Sequence, residues 1–143
     1  MALALRLSSG VAKYTTTKLA VGTGSITAVY NGSISFTTSA SLALSQVVNQ
    51  ASTTTALASS QNPSTFGQSV TFTVTVAPQF SGTVTGSVTL TDGTKALKTA
   101  NLSGGAVKYT TTTLPTGTHR IAATYNGTTS FSGSSAALTQ TVN

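Results

Sequence analysis

The sequence predicts an all-β protein: an antiparallel β-sandwich present as one complete copy, preceded by the C-terminal half of another. Three observations carry this. Apolar and hydroxyl residues alternate with period two, as in Val70-Thr71-Phe72-Thr73-Val74-Thr75-Val76, the spacing that makes one face of a strand apolar. The alternating runs are short and are separated by Gly, Pro, Asn and Asp, which turn the chain. A block of sequence recurs 95 residues later, too long a period for a solenoid and a fitting one for a sandwich of about 100 residues.

The repeat sets the organisation. Lys13-Tyr14-Thr15-Thr16-Thr17 returns as Lys108-Tyr109-Thr110-Thr111-Thr112. At the same offset Leu19 matches Leu114, Ile26 matches Ile121, Tyr30-Asn31-Gly32 matches Tyr125-Asn126-Gly127, and Ser35-Phe36 matches Ser130-Phe131. The match starts near Leu7/Leu102. Beyond Phe36 it slips by one residue, so that Leu44 corresponds to Leu138. Residues 51–143 therefore read as a complete domain, and residues 1–50 as a partial copy holding the later strands only, about four of them.

The complete copy divides in order. Thr53–Ser59 is a first strand, and Asn62-Pro63-Ser64 a turn, because Pro fixes φ and cannot donate to a ladder. Val70 to Val76 is the second strand, and Pro78 to Gly82 a loop. Val84, Gly86, Val88 and Leu90 alternate with hydroxyl residues as a third strand, closed by an Asp92-Gly93 hairpin turn. Leu97–Leu102 is a short fourth strand, followed by a Gly104-Gly105 turn. Ala106–Thr113 is the fifth, and Leu114-Pro115-Thr116-Gly117 a corner. Ile121, Ala123 and Tyr125 share one face of the sixth, which Asn126-Gly127 ends. Ala136–Val142 is the seventh. Nothing has helical periodicity.

Taken together, these segments resemble the bacterial immunoglobulin-like repeats of large secreted and surface proteins. The residues that carry the resemblance are Asn62-Pro63-Ser64-Thr65-Phe66-Gly67-Gln68-Ser69-Val70-Thr71-Phe72, Gly86-Ser87-Val88-Thr89-Leu90-Thr91-Asp92-Gly93, Leu114-Pro115-Thr116-Gly117-Thr118-His119-Arg120-Ile121, and Ala123-Thr124-Tyr125-Asn126-Gly127 with Phe131. The resemblance covers one full repeat and half of another. It implies an immunoglobulin-like sandwich, a bacterial origin, an extracellular or cell-surface setting, and a place in a tandem array as spacer or adhesive stalk. The chain departs from such repeats by starting in mid-repeat and by carrying a single acid, which weakens any calcium-linker role.

Composition narrows the function classes. Charged residues make up 6% of the 143 residues and hydrophobic ones 38%, so Thr and Ser keep the surface wet where ordinary domains use charge. The net charge of +6 comes from seven scattered bases against Asp92. There is no basic run and no aromatic–basic interleaving, so no nucleic-acid interface is expected. Cysteine is absent, which excludes disulfides and thiolate metal sites. No run of 18 apolar residues is present, so no membrane insertion is expected. The apolar Met1–Leu7 stretch is too short for a signal peptide; any secretion signal is expected outside this chain.

Candidate chemistry is sparse. His119, the one histidine, could act as base for a nearby Ser with Asp92 as its orienter. Against this, no Gly-x-Ser-x-Gly elbow is present. The corner before the sixth strand is also where immunoglobulin-type sandwiches place a Tyr tied back to the backbone, a slot His can fill. In the first copy the slot holds Gly24. Asp92 alone cannot build a calcium site, and no cofactor is expected. Asn31, Asn101 and Asn126 begin glycosylation sequons, two of them explained by Asn-Gly turns. Tyr14 and Tyr109, each with Phe80, are the candidate exposed aromatics for a glycan or host-protein platform, whereas Tyr30 and Tyr125 alternate with core positions. Thr-rich strands that twist do not make the flat array of an ice-binding plane.

Residues 1–50 lack a facing sheet. Leu7, Val11, Leu19, Ile26, Phe36, Leu42 and Leu44 would form an open apolar surface, which predicts association. The fragment cannot borrow strands 53–92 of its own chain: four residues reach at most about 14 Å, against about 30 Å between the poles of a sandwich. The expectation is a homodimer through residues 1–50. The expected function is a non-enzymatic structural or adhesive module flanked by neighbouring repeats. A carbohydrate- or protein-binding module is the second reading, and a hydrolase built on His119 the third.

Overall fold

The computed structural model describes residues 3–143, all strands and turns, in two units, Met1–Val48 and Asn49–Asn143. The first two residues of the apolar Met1–Leu7 stretch lie outside the described residues. Strands β1 (Gly22–Ile26), β2 (Val29–Tyr30), β3 (Ser39–Ala40) and β4 (Leu44–Val48) belong to the first unit. Strands β5 (Thr53–Ser59), β6 (Val70–Pro78), β7 (Ser87–Asp92), β8 (Lys95–Asn101), β9 (Ala106–Thr111), β10 (Gly117–Tyr125) and β11 (Ser134–Val142) belong to the second.

The second unit is a closed two-sheet sandwich. One sheet has the order β5-β6-β9 and the other β11-β10-β7-β8, all pairs antiparallel. The fourth strand in sequence thus joins the four-stranded sheet beside the third. The alternation read from the sequence sets the core: Phe72, Val74, Val88, Leu90, Ile121 and Tyr125 are fully buried between the sheets. On the outer faces hydroxyls pair across strands where charge is scarce, Thr71 with Thr110 at 2.9 Å and Thr89 with Thr99 at 3.1 Å, a cross-strand interaction that adds a few tenths of a kcal/mol or more per pair.

Asn62-Pro63-Ser64 is more than a turn. It carries the chain from the edge of one sheet to the edge of the other. Asn62 Nδ2 donates to the Thr139 carbonyl and its Oδ1 accepts from the Thr141 amide, at 2.6 and 3.0 Å. The Ser64 amide then donates to the Thr141 carbonyl, and the Phe66 amide to the Asn143 carbonyl, so this segment runs parallel to β11. Pro63 sits where the chain changes partners and no donor is needed.

Several boundaries differ from the sequence reading. Val84 is buried as expected, but the third strand starts only at Ser87, because Gly86 has φ +103° and breaks the extended run. Pro78 ends β6 rather than opening the loop, an end position that its missing N–H permits. β8 begins at Lys95, directly after a two-residue turn. β9 stops at Thr111, whose Oγ1 accepts the Thr113 amide and curls the chain out of the ladder.

The first unit copies the local structure of the second without its core. β1 pairs with β4 from Gly22↔Val48 to Ile26↔Leu44, the same register as Gly117↔Val142 to Ile121↔Leu138. β2 pairs with β3. The one-residue slip in the repeat is a β-bulge: the Ser41 amide donates to the Ala28 carbonyl at 2.9 Å while Ile26 faces Leu44, so Thr27 stands opposite both Leu42 and Ala43. The Ser8–Val11 turn, with Ser9 and Gly10 at φ +52° and +80°, repeats the Ser103–Ala106 turn through Gly104 and Gly105 at +57° and +77°, the two positive φ values of a type I′ hairpin. The four strands of this unit do not include a counterpart of β9. Residues 13–17, the counterpart of β9, form no strand, because β9 is held by pairing with β6 and this unit contains no such partner.

Candidate functional site

The side chains with most potential for chemistry meet at one corner of the second unit. His119 lies on β10 on the face that carries Ile121, Ala123 and Tyr125 into the core. Asp92, the last residue of β7, is registered with Ile121, which makes it the diagonal neighbour of His119 on that face. His119 Nδ1 lies 2.6 Å from Asp92 Oδ2, and His119 Nε2 donates to the Pro115 carbonyl at 2.9 Å. The Gly93 amide donates to the Arg120 carbonyl at 2.9 Å and fixes the same corner.

Both partners of the ring are acceptors. A neutral imidazole has one donor and one acceptor nitrogen, so only the imidazolium satisfies both contacts. The hydrogen bond to Pro115 raises the His119 pKa above its ordinary value most; burial works against it, and the hydrogen bond and charge of Asp92 add to the rise. The consequence for chemistry is direct. A general base needs a free lone pair aimed at a nucleophile, and neither ring nitrogen has one. The Asp92–His119 pairing weighed from the sequence is present, but it orients the ring toward the corner carbonyl rather than toward a serine. This is the backbone tie that a Tyr makes in related corners.

The second polar centre was missed in the sequence. Gln140 is completely buried. Its Oε1 accepts from Ser59 Oγ at 2.6 Å, and its Nε2 donates to the Gln61 carbonyl at 2.9 Å and to Ser64 Oγ at 3.2 Å. It thereby ties β11 to the crossover segment from the inside. A signal was available: Leu44-Ser45-Gln46-Val47-Val48 and Leu138-Thr139-Gln140-Thr141-Val142 keep a polar Gln at an inward position in both copies. Among the described residues no buried side-chain oxygen or nitrogen lacks a partner, and no cluster of three His, Cys, Asp or Glu is present.

Within the second unit the candidates Tyr109 and Phe80 are set apart along β6. Tyr109 is half-buried on the inward face, registered with Phe72 near the start of β6. Phe80 is exposed two residues beyond the end of that strand, whose stretch from Phe72 to Pro78 alone spans roughly 20 Å at about 3.4 Å per residue. Tyr109 and Phe80 thus lie toward opposite ends of β6. Tyr14 is exposed in the other unit. Tyr125 is buried and donates its hydroxyl to the Thr85 carbonyl at 2.6 Å. Asn126 spends its amide on Ser87 and Thr89, in keeping with a turn residue. Leu7, Val11, Leu19, Ile26, Phe36, Leu42 and Leu44 are all exposed.

No curated protein matches the chain. The family model described as bacterial Ig-like domain (group 3) matches residues 57–143, from the middle of β5 to the last residue of the sandwich. With its seven-stranded two-sheet core and its tied corner, the chain belongs to the bacterial Ig-like domains.

Proposed function

We propose that this chain is a non-enzymatic structural module, a spacer or adhesive stalk element of a bacterial surface or secreted protein, working next to neighbouring repeats. One observation carries the reading: the second unit receives and releases its chain at opposite poles. Ala51 enters beside Ser130 and Ser132, just ahead of β11, and the chain leaves at Asn143, just past the end of β11, beside Ser64 and Phe66. The nine residues of β11 separate entry from exit by about 30 Å, so copies joined end to end extend rather than fold back. The bland corner at His119 supports a mechanical role, since its polar groups are spent on one another. Among the described residues no helix is long and apolar enough to cross a membrane.

The test is a three-copy fusion of residues 49–143, measured by small-angle X-ray scattering against one copy. Each added copy should lengthen the maximum dimension by about 30–40 Å. Growth of less than half that amount, with a compact scattering profile, would refute the rod.

A further inference from the structure

The open face of the first unit corresponds, residue for residue, to the face of the second unit that β5, β6 and β7 cover. Ile26 is 43% exposed where its counterpart Ile121 is 0%, and Leu19 is 46% exposed where Leu114 is 7%. Gln46 makes only a hydrogen bond to the neighbouring Val47 carbonyl, whereas Gln140 in the same position holds Ser59, Gln61 and Ser64. Among the described residues the Tyr30 hydroxyl has no partner, whereas Tyr125 reaches the Thr85 carbonyl. A Cβ at Gly105 would meet the Val76 carbonyl at 3.2 Å, and one at Gly10 would meet nothing within 4 Å. The depression lined by Leu7, Gly10, Tyr30 and Phe36 is thus the imprint left where a strand like β6 belongs.

The geometry points to a docking surface for the front half of a repeat of the same type: three strands with the pattern of β5, β6 and β7. The registers of the second unit specify the seat. A β7-like strand would pair with β1 and β2 as β7 pairs with β10, with Leu90 set opposite Ala28 and Val88 opposite Tyr30. A β6-like strand would order residues 12–16 as β6 holds β9. A segment like 59–64 would supply the three partners Gln46 lacks. Backbone pairing of this kind gives affinity, and the alternate side chains give specificity.

Strand exchange with a second copy of this chain does not meet the need. Each copy carries two back halves, residues 3–48 and 95–143, and one front half, residues 51–94. Completing one back half by exchange opens another. A second copy could cover the face only by packing its own open half against it, a contact that leaves Gln46 and Tyr30 without the partners their counterparts have. The inference rests on the repeat register and is independent of the spacer reading.

The probe is a fluorescently labelled polypeptide of residues 49–94, titrated into the full chain and into residues 49–143, whose closed core makes it a self-standing control. Saturable one-to-one binding to the full chain and none to residues 49–143 is expected. Ile26→Asp should weaken it more than tenfold, and Gln46→Ala severalfold. No binding, equal binding to both receptors, or a doubled mass of the full chain by light scattering that saturating polypeptide leaves unchanged would overturn the proposal. If the free polypeptide self-associates, residues 49–95 are fused ahead of Met1, which restores the repeat spacing. A second cooperative unfolding transition then supports the seat, and its absence overturns it.

Discussion

At the scale of single residues, two side chains hold the sandwich closed at its ends. The Pro115 carbonyl, and then Asp92, raise the pKa of His119 above its ordinary value, against the effect of burial. A group whose pKa is higher in the folded state adds stability that is complete below its unfolded value, about 6.5. That stability is lost as pH rises through the raised folded value. Thermal melts of residues 49–143 should therefore show Tm falling from pH 6 to pH 9, and His119→Gln should flatten that slope while lowering Tm at pH 6. A slope unchanged by the substitution would separate the corner from stability. Gln140→Ala leaves a cavity in the interior and takes from the buried Ser64 hydroxyl its Gln140 partner. It should cost about 2–3 kcal/mol and lower Tm by roughly 10–20 °C. Gln46→Ala, in the open unit, should leave that transition where it is. His119 and Asp92 were visible in the sequence as the only histidine and only acid, but their partner was not. A backbone carbonyl has no letter in a sequence, so the ring could be read as a base until the Pro115 contact was seen.

At the scale of elements, period-two alternation marked β6, β7 and β10, because burial on one face of a pleated sheet leaves that trace in the residue types, and turn residues set off the other four strands of the second unit. The edges were less legible. Val84 keeps the alternation without being in a strand, since the pattern records burial and not ladder pairing. Gly86 decides where β7 starts. At φ +103°, an added Cβ would meet Thr128 Cγ2 at 2.9 Å and Tyr125 Cε2 at 3.3 Å, so the position demands glycine by conformation and by space. Gly86→Ala should destabilise the second unit by about 2–3 kcal/mol, read as a shifted urea midpoint with unchanged slope. The one-residue slip in the repeat was legible as an offset, but its form was not. Only the pairing of β1 with β4 shows that the extra residue is absorbed as a bulge opposite Thr27. Residues 13–17 form no strand for a related reason. Their β propensity equals that of residues 108–112, yet a strand needs a ladder partner, and the sequence of a segment does not say whether one is present.

At the scale of the whole molecule, the chain places nearly the same residues in two environments. The second unit buries them between two sheets; the first leaves them open, with only short hairpins that are marginal by themselves in water. The repeat offset made this asymmetry readable before any coordinate, because it showed which copy carries the front strands. The face that covers a back half could be assigned only from the second unit, where β5 to β7 occupy it. The central claim is that one sandwich is complete and the other half is not. Amide hydrogen exchange on the full chain tests it most directly. The account predicts that the amides of Phe72–Val76 and Ile121–Tyr125 exchange only through global unfolding, and that those of the counterpart Ile26–Tyr30 exchange at least about a hundredfold faster. Equal protection in the two copies would contradict it, since the first unit would then have a core of its own.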